Sequence, residues 1–595
     1  MNIVNFLNQH VENNLLTDAI GFQKKEEWKS LNWKQLRQVV FKTANALRNA
    51  GVSENDRVAI FADNSAEWIT FDLAVLALGA VTVPIYASSS KNQVDFILQN
   101  AGAKILLVGN QAQYDIAYEI LGEFDGLQTI VVAKKSVWIK KNNTIYLEEF
   151  IEKTSENFDI VQKTETGLAT IIYTSGTTGS PKGVMLSHHS FISVFEAHLA
   201  YFDFKNFQNE HSLAFLPLAH VFERSWTLLC LYFGAKVSFL EDTKAIANAL
   251  VQTKPTMMCA VPRFYQKIYN GILQNVEASS GLKQKIFNKA LEIGQQWAQF
   301  KKDNQPVPFS LKPKIWLANA LVFNKIKSQL GGKLWFLPCG GAAISAEITT
   351  FFDAIGLHIT PGYGMTETTA TVTASPLKNY VYGTAGQCLG DTKIKIGENN
   401  EILVKGSNVM MGYFKLPKET AAAFTDDGWL KTGDAGEIDA SGNLTITDRI
   451  KDLMKTANGK YIAPQNLENT MTNLALIDQI LVIAEDKPFV AALIFPDVDA
   501  MKALANNLGA ASENMEELVL NEKVVQHFKN IIDERQKDFP DFEKIKRFKI
   551  IPKTLEIGEE ELTPTLKIKR QRLTKSYQQE IDLLYAKKIK IAQSG

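Results

Sequence analysis

The sequence predicts an α/β fold, and three observations point to it. Short apolar runs of strand length alternate with longer amphipathic stretches over the first half of the chain. Between about 383 and 447 the pattern switches to pairs of alternating runs joined by tight turns. After Asp448-Arg449-Ile450-Lys451-Asp452 a compact mixture of strand and helix patterns takes over. Alternating strand and helix patterns imply parallel sheets covered by helices, whereas alternating runs across short turns imply antiparallel hairpins.

In chain order, residues 33–50 have helical spacing and stop at Gly51. RVAIF (57–61) is a short apolar strand, 66–78 a helix and 80–85 a strand. Strand-like runs recur at 104–108, 128–132, 212–216 and 236–240. The most apolar stretch, 71–87, contains Asp72, Gly79 and Pro84. A bilayer span needs about 20 apolar residues, so this stretch reads as a buried helix running into a strand. TKIKIGENNEILVKG and GEIDASGNLTIT each pair two alternating runs across a turn, which predicts a small antiparallel β subdomain. Strands near 480–495, helices near 498–508 and 514–537 and a strand near 545–551 complete a C-terminal α+β unit. The expected domains are therefore 1–448, with the β subdomain at about 383–447, and 449–595.

The chain has 595 residues, of which 46% are hydrophobic, and its 64 basic and 64 acidic residues cancel. A protein that binds nucleic acid mainly through phosphates carries a basic excess, so no nucleic-acid partner is expected. The 34 Phe and 16 Tyr allow a large core and exclude disorder for most of the chain. Cys230, Cys259, Cys339 and Cys388 stand far apart, which suits neither a disulfide framework nor a zinc ribbon. With no basic start followed by an apolar run at the N-terminus, a cytoplasmic protein is expected.

The sharpest local signal is YTSGTTGSPKG (173–183). LATII precedes it and VMLSHHSFISVF follows with helical spacing, which predicts strand, loop and helix. Gly176 and Gly179 would let backbone N–H groups converge on an anion. Thr174, Ser175, Thr177 and Thr178 would add hydroxyl donors, and Lys182 would add charge. The order Pro181-Lys182-Gly183 excludes a Walker A loop.

This loop resembles the phosphate-binding signature of the adenylate-forming superfamily, which includes acyl-CoA synthetases, peptide-synthetase adenylation domains and beetle luciferases. LPLAHVFER (216–224), VPRFYQKIY (261–269), GGAAIS (340–345), GYGMTET (362–368), GWLKTGD (428–434), DRIKDLMKTANGKYIAPQNLE (448–468) and LTPTLKIKR (562–570) follow in that family's order. The resemblance implies a large domain of two stacked parallel-type sheets with a β-barrel-like subdomain. It also implies a small mobile C-terminal domain with a hinge near Lys451.

Residue chemistry and resemblance then combine. Tyr363 can offer a flat face to adenine beside Gly364, Thr366 a donor to the α-phosphate, and Glu367 a hard oxygen ligand to Mg²⁺. Alone, this stretch reads more readily as a turn with a helix cap, since Thr and Glu are common at helix starts. The resemblance implies the nucleotide roles and gives Thr177 as a second metal contact. Gly341, Ala342 and Ala343 lack bulk, as an adenine wall or tight packing would require. Asp434 can accept hydrogen bonds from ribose hydroxyls. The resemblance gives it that role, with Arg449 at the same ribose. His220 would abut the carboxylate pocket, although a lone His in an apolar stretch also reads as a core residue. Trp226 reads as a lid on an acyl tunnel or as a core side chain. Residues 566–575 carry five cations and no acid, a pattern usual for a solvated face. The resemblance instead makes Lys567 the lysine that crosses into the site, with Lys569 as the other candidate. Gly459 would approach the CoA arm. Beside it Asn458 replaces a glycine usual in the family, and Asn tolerates the left-handed conformation.

The form Thr-Pro-Thr-Leu-Lys resembles the long-chain fatty-acid branch. It implies ATP-dependent activation of a fatty acid to an acyl-adenylate with pyrophosphate release, then transfer to CoA. ATP, Mg²⁺ and CoA are the expected cofactors and co-substrates. Peripheral contact with the inner face of the membrane is expected, in a monomer or a homodimer. Two other readings stand beside it: a stand-alone acyl-AMP or acyl-carrier-protein ligase, and an inactive nucleotide-binding regulatory homologue.

Overall fold

The computed structural model describes all residues except 14, 16, 141, 175–180, 205, 451, 557, 559, 564–566 and 587–595. The expected hinge residue Lys451 and the loop residues Ser175, Gly176, Thr177, Thr178 and Gly179 therefore lie outside the described residues.

The larger sheet has eight strands. Their order is Gly412–Tyr413, Lys182–Ser187, Leu168–Thr174, Val81–Ile85, Arg57–Phe61, Ala103–Val108, Thr129–Val132 and Thr144–Tyr146. From Leu168–Thr174 onward the neighbours are parallel. The first two strands are antiparallel additions at one edge. Strands covered on both faces read as continuous apolar runs, and every residue of Val81–Ile85 is buried. A second sheet orders His211–Ala214, Lys236–Phe239, Asp18–Lys24 and Glu27–Asn32. Parallel bridges Ser212–Met257, Met257–Phe336 and Ala260–Cys339 carry it on to Leu337–Cys339 and Ile359–Tyr363. The helices Trp33–Asn49, Ala66–Ala77, His188–Phe202 and Val221–Tyr232 share one apolar core with both sheets.

Helix Ala66–Ala77 is buried along its whole length, including Asp72. A buried carboxylate needs a partner for its charge and donors for its lone pairs. Arg224 supplies both: its Nε and Nη2 donate to the two Asp72 oxygens at 2.8 and 2.7 Å. Arg224 Nη1 donates to Thr170 Oγ1 at 2.7 Å, and the Thr82 hydroxyl donates to Asp72 at 2.7 Å. This network joins the helix carrying LPLAHVFER to the strand that leads into the phosphate loop.

One expectation is corrected here. The Thr/Gly loop is followed by a strand, Lys182–Ser187, paired antiparallel with Leu168–Thr174, and the helix begins only at His188. The loop thus spans a β-hairpin, so no helix dipole is available at its exit. A six-residue apolar run of this kind fits either period. Its fate is set by burial against the neighbouring strand: a Cβ on Gly183 would stand 2.7 Å from the Ile171 side chain.

Four antiparallel strands, Lys393–Ile396, Glu401–Lys405, Leu430–Ile438 and Leu444–Arg449, form the subdomain sheet. In the C-terminal part Ile477–Ile483, Ala491–Pro496 and Arg547–Ile550 form a sheet covered on both faces. Ile480, Val482, Ala492 and Ile494 face one helical layer, while Leu481, Leu493 and Phe495 face the final helices, as the two-residue period of a strand requires. The helix expected over 514–537 is two helices, Met515–Leu520 and Glu522–Arg535. Asn521 separates them, and its side chain caps the second by accepting from Lys523 and Val524 N–H.

Candidate active site

A cavity of about 580 Å³ opens where the two sheets, the β subdomain and the C-terminal part meet. This is within the range of about 300–1,000 Å³ usual for small-ligand clefts. Thr174, Lys182, His220, Gly341, Tyr363, Gly364, Thr366, Glu367, Arg449 and Lys567 all line it. Of the sequence-derived candidates among the described residues, Ala342 and Ala343 lie beside Gly341 on the exposed side, outside the lining. Gly459 sits in a turn away from the cavity, with φ +77°. That turn corrects one expectation: Gly459 adopts the left-handed conformation, not Asn458, whose side chain amide donates to Pro488 O at 3.3 Å.

The polar end is built on two strand ends and one close turn. Thr174 and Lys182 are register partners flanking the loop. The turn Thr366–Thr368 follows strand Ile359–Tyr363. Gly364 between them is sterically required, since a Cβ there would fall 1.9 Å from the carbonyl oxygen of Ala370. Asp434 and Arg449 are paired across the subdomain sheet. Tyr363 donates its hydroxyl to Asp434 Oδ2 at 2.6 Å, and Arg449 Nε donates to Oδ1 at 3.1 Å. Asp434 itself is buried behind the wall. One carboxylate thus fixes the tyrosine ring and the guanidinium against the same hollow.

Glu367 is buried, and burial pushes its carboxyl up from the ordinary range. The Tyr413 hydroxyl donates to its Oε1 at 2.9 Å, and Lys182 Nζ lies 5.0 Å from the centre of the Tyr413 ring. Tyr413 was absent from the sequence reading. It comes from the edge strand Gly412–Tyr413, and only the pairing Tyr413–Val184 brings it to the loop hairpin. Glu401 and Lys431 of the subdomain also line the cavity, and Glu401 accepts from Gly433 N at 2.9 Å.

Lys567 reaches this end from the C-terminal part. Its backbone N–H donates to Thr563 Oγ1 at 3.0 Å, and Ile568 bridges Leu562. The residue is exposed, and it also lines the hollow. Desolvation, and then the charge of Arg449, push its ammonium down to about 8. Lys569 points elsewhere, donating to Gly558 O at 2.8 Å. His220 is the N-cap of helix Val221–Tyr232, and its Nδ1 accepts from Phe222 N at 3.1 Å. Burial, then the nearby Lys567, push its imidazole down to about 4. The ring is therefore neutral at pH 7, and its proton is on Nε2.

The other end of the cavity is apolar, walled by Phe202, Val221, Phe222, Trp226, Leu229 and Phe336. Trp226 is buried, its Nε1 donating to Ser212 Oγ at 2.9 Å and its ring 5.8 Å from Phe336. A side chain anchored in this way is a fixed wall.

VPRFYQKIY contributes differently. Along helix Pro262–Glu277, Arg263 pairs with Asp478, and Gln266 donates to Asn473 at 3.3 Å. Tyr269 donates to Glu347 at 2.9 Å, and the same carboxylate accepts from Arg535 at 3.0 Å. The polar positions of this motif thus clasp the C-terminal part in the arrangement that puts Lys567 in the cavity.

Among the described residues no group of three or more His, Cys, Asp or Glu side chains could hold a metal unaided. A single hard carboxylate such as Glu367 fits Mg²⁺ that draws its remaining ligands from phosphate oxygens and water. No helix among the described residues is long and apolar enough to cross a membrane.

Known proteins of similar sequence place the chain in a family, and solved structures share its fold. The AMP-binding enzyme family profile matches residues 7–414, and the AMP-binding enzyme C-terminal domain profile matches residues 451–589. A long-chain-fatty-acid–CoA ligase, FadD15, of Mycobacterium bovis is 32% identical over 94% of this chain and 93% of its own length. Long-chain-fatty-acid–CoA ligase 5 of Mus musculus is 30% identical over 95% of this chain and 86% of its own. Among solved structures, the anthranilate CoA ligase AuaEII with anthranoyl-AMP superposes with a TM-score of 0.75 at 18% identity, covering 98% of both chains. ATP-bound MatB of Rhodopseudomonas palustris gives 0.71 at 22% identity, over 97% of this chain and 99% of its own.

Proposed function

We propose, from the premise that this chain belongs to the AMP-binding enzyme family, that it is a long-chain-fatty-acid–CoA ligase. It activates the fatty acid with ATP to an acyl-adenylate, releasing pyrophosphate, and passes the acyl group to CoA with release of AMP. The observation that carries this reading is one cavity with two ends of opposite character, one polar and holding Lys567, one apolar, with His220 close to Lys567. The names of the relatives support the acyl class.

A carboxylate is a poor electrophile because its leaving group would be oxide. Attack by a carboxylate oxygen on the α-phosphorus of ATP forms the C–O–P linkage and expels pyrophosphate, and AMP then becomes the leaving group. In this scheme Tyr363 and Gly364 seat the adenine, with Gly341 opposite, and Arg449 lies at the ribose, held in place by Asp434, whose carboxylate would meet the ribose hydroxyls only where the ligand displaces one of its present contacts. Thr366 donates to the α-phosphate. Thr174 and Lys182 hold the outer phosphates together with the loop residues Ser175–Gly179. The Nε2–H of His220 orients the fatty-acid carboxylate. Lys567 stabilises the charge that develops at the α-phosphorus, where a preorganised cation in a water-poor site has most effect. Glu367, with Thr177, would hold the Mg²⁺ that accompanies ATP, which supplies charge neutralisation on the phosphates.

The second step needs a different neighbour for the same intermediate. Gly459 lies away from the cavity while Lys567 lines it, which supports a rotation of residues 449–595 about Lys451 between the steps. After that rotation Gly459 would line the CoA path.

The test is pyrophosphate release on adding oleate and ATP, with and without CoA. Oleoyl-CoA formed only when CoA is present is the expected result. Pyrophosphate without any CoA thioester would assign the chain to the acyl-AMP or carrier-protein ligases. No pyrophosphate would identify an inactive homologue.

A further inference from the structure

The segment from 304 to 346 contains five lysines and not one acidic residue, in a chain whose charges cancel over its whole length. Its middle folds into a short helical run: helix Lys312–Ala318, a π-helical turn Asn319–Phe323 and helix Asn324–Gln329. One face is anchored. Leu311, Ala318 and Phe323 are buried, and Ile315, Val322 and Ile326 pack partly into the same core. The opposite face is apolar as well. Phe309 is 86% exposed, Trp316 71%, Leu321 58% and Leu317 50%. Single exposed apolar residues need no explanation, but four large ones on one short run do.

Their arrangement narrows the partner. With about 3.6 residues per turn, Trp316, Leu317 and Leu321 occupy the middle of the exposed arc. The exposed lysines Lys312 on one side and Lys314 and Lys325 on the other flank it. Lys312 Nζ lies 4.3 Å from the centre of the Phe309 ring, so cation and ring project together. An apolar strip that includes an indole, with cations at both edges, matches the boundary between acyl chains and anionic headgroups. A second copy of this chain is a poor match, since a two-fold contact would set each patch of lysines against itself.

We propose that the exposed face of residues 309–325 is a docking surface for anionic phospholipid bilayers. This deepens the ligase reading and rests on it for its purpose: a substrate that partitions into bilayers is gained by an enzyme that sits on one. Binding itself is independent of the reaction. Each lysine near an anionic surface adds to the attraction, and the inserted side chains add a further apolar contribution.

The experiment is sedimentation of the full-length protein with vesicles of equimolar phosphatidylcholine and phosphatidylglycerol, and with vesicles of phosphatidylcholine alone. Two variants accompany it: Trp316→Glu with Leu321→Glu, and Lys312→Glu with Lys314→Glu and Lys325→Glu. All five positions are exposed, and thermal melting of each variant confirms folding. The proposal expects partition to the anionic vesicles, reduced at least tenfold by either variant, and at least tenfold weaker partition to phosphatidylcholine. Unchanged partition in either variant would overturn it. So would equal partition to both vesicle types, or a dimer that the Trp316→Glu variant dissolves with no effect on vesicle binding. Because no acyl substrate or nucleotide is present, a failure to release pyrophosphate would refute the ligase reading and leave this result intact.

Discussion

The two sides of the cavity's polar end are built on different principles. On one side Tyr363, Asp434 and Arg449 bind one another before any ligand arrives, through contacts of 2.6 and 3.1 Å. A glycine that tolerates no Cβ sets the path of the neighbouring turn. On the other side stands Lys567, carried by a separate part of the chain and held below its ordinary pKa by desolvation and by Arg449. The first side is a mould, satisfied as it stands. The second is a cation that also feels Arg449, Asp434 and Asp452, and a phosphate would add negative charge beside it. Rigid hydrogen-bonded groups position a ligand, whereas a charge carried in from another part of the chain acts on the step where negative charge grows.

This contrast is broken most strongly at Lys567. Lys567→Ala is expected to lower adenylation about 10²–10³-fold, the scale of losing one preorganised charge at a transition state. CoA thioester formation from supplied acyl-AMP should stay within about threefold, because on this reading Lys567 leaves the site before that step. ATP–pyrophosphate exchange measured beside acyl-AMP thiolysis gives both numbers, and equal losses would remove the division of labour. Tyr363→Phe removes a hydrogen bond to a buried carboxylate, which is worth about 1.5–3 kcal/mol. The expected effect is a 10- to 100-fold rise in KM for ATP with kcat little changed, read from initial rates.

The clasp between the two parts predicts a smaller split. Arg535→Ala leaves Glu347 with Tyr269 alone. The contact is partly exposed, so the expected loss is modest, about two- to fivefold. It should fall on adenylation and spare thiolysis. Glu347→Arg with Arg535→Glu should restore part of it if the contact acts by docking. The smallest effect is a titration. Lys567 is charged below about 8 and loses its proton as pH rises through that value. kcat/KM for ATP in the exchange reaction should therefore decline above about pH 8, since kcat/KM follows the ionisations of free enzyme and free substrate. Lys567→Arg should abolish that decline, because a guanidinium stays charged.

Much of this was readable from residues alone, and the reasons differ by region. The parallel strands were legible because burial on both faces makes them uniformly apolar, as in RVAIF and VTVPI. The hairpins at 393–405 and 430–449 were legible because their turns carry Asn399, Asn400 and Gly442, all at positive φ. The run after the phosphate loop misled because Lys182–Ser187 is too short for its period to decide between helix and strand, and pairing with Leu168–Thr174 decided it. Tyr413 could not be seen because its proximity to Glu367 depends on an edge strand joining from more than two hundred residues away. The pairing of Asp72 with Arg224 was hidden for the same reason: each sits in an apolar stretch, and only the fold closes the ion pair. A buried charge in such a run was the available signal. Removing one partner of this pair, as in Arg224→Ala, should cost about 3–5 kcal/mol of unfolding free energy in urea titration.

The claim on which the rest depends is that acyl chain and nucleotide share one cavity. Calorimetric titration with oleoyl-sulfamoyl-adenosine, a stable mimic of the acyl-adenylate, tests it most directly. One site per chain is predicted, binding at least 10³-fold more tightly than AMP or oleate alone, because a single linked ligand would fill both ends at once. Binding no tighter than that of AMP would contradict it and place the fatty acid elsewhere.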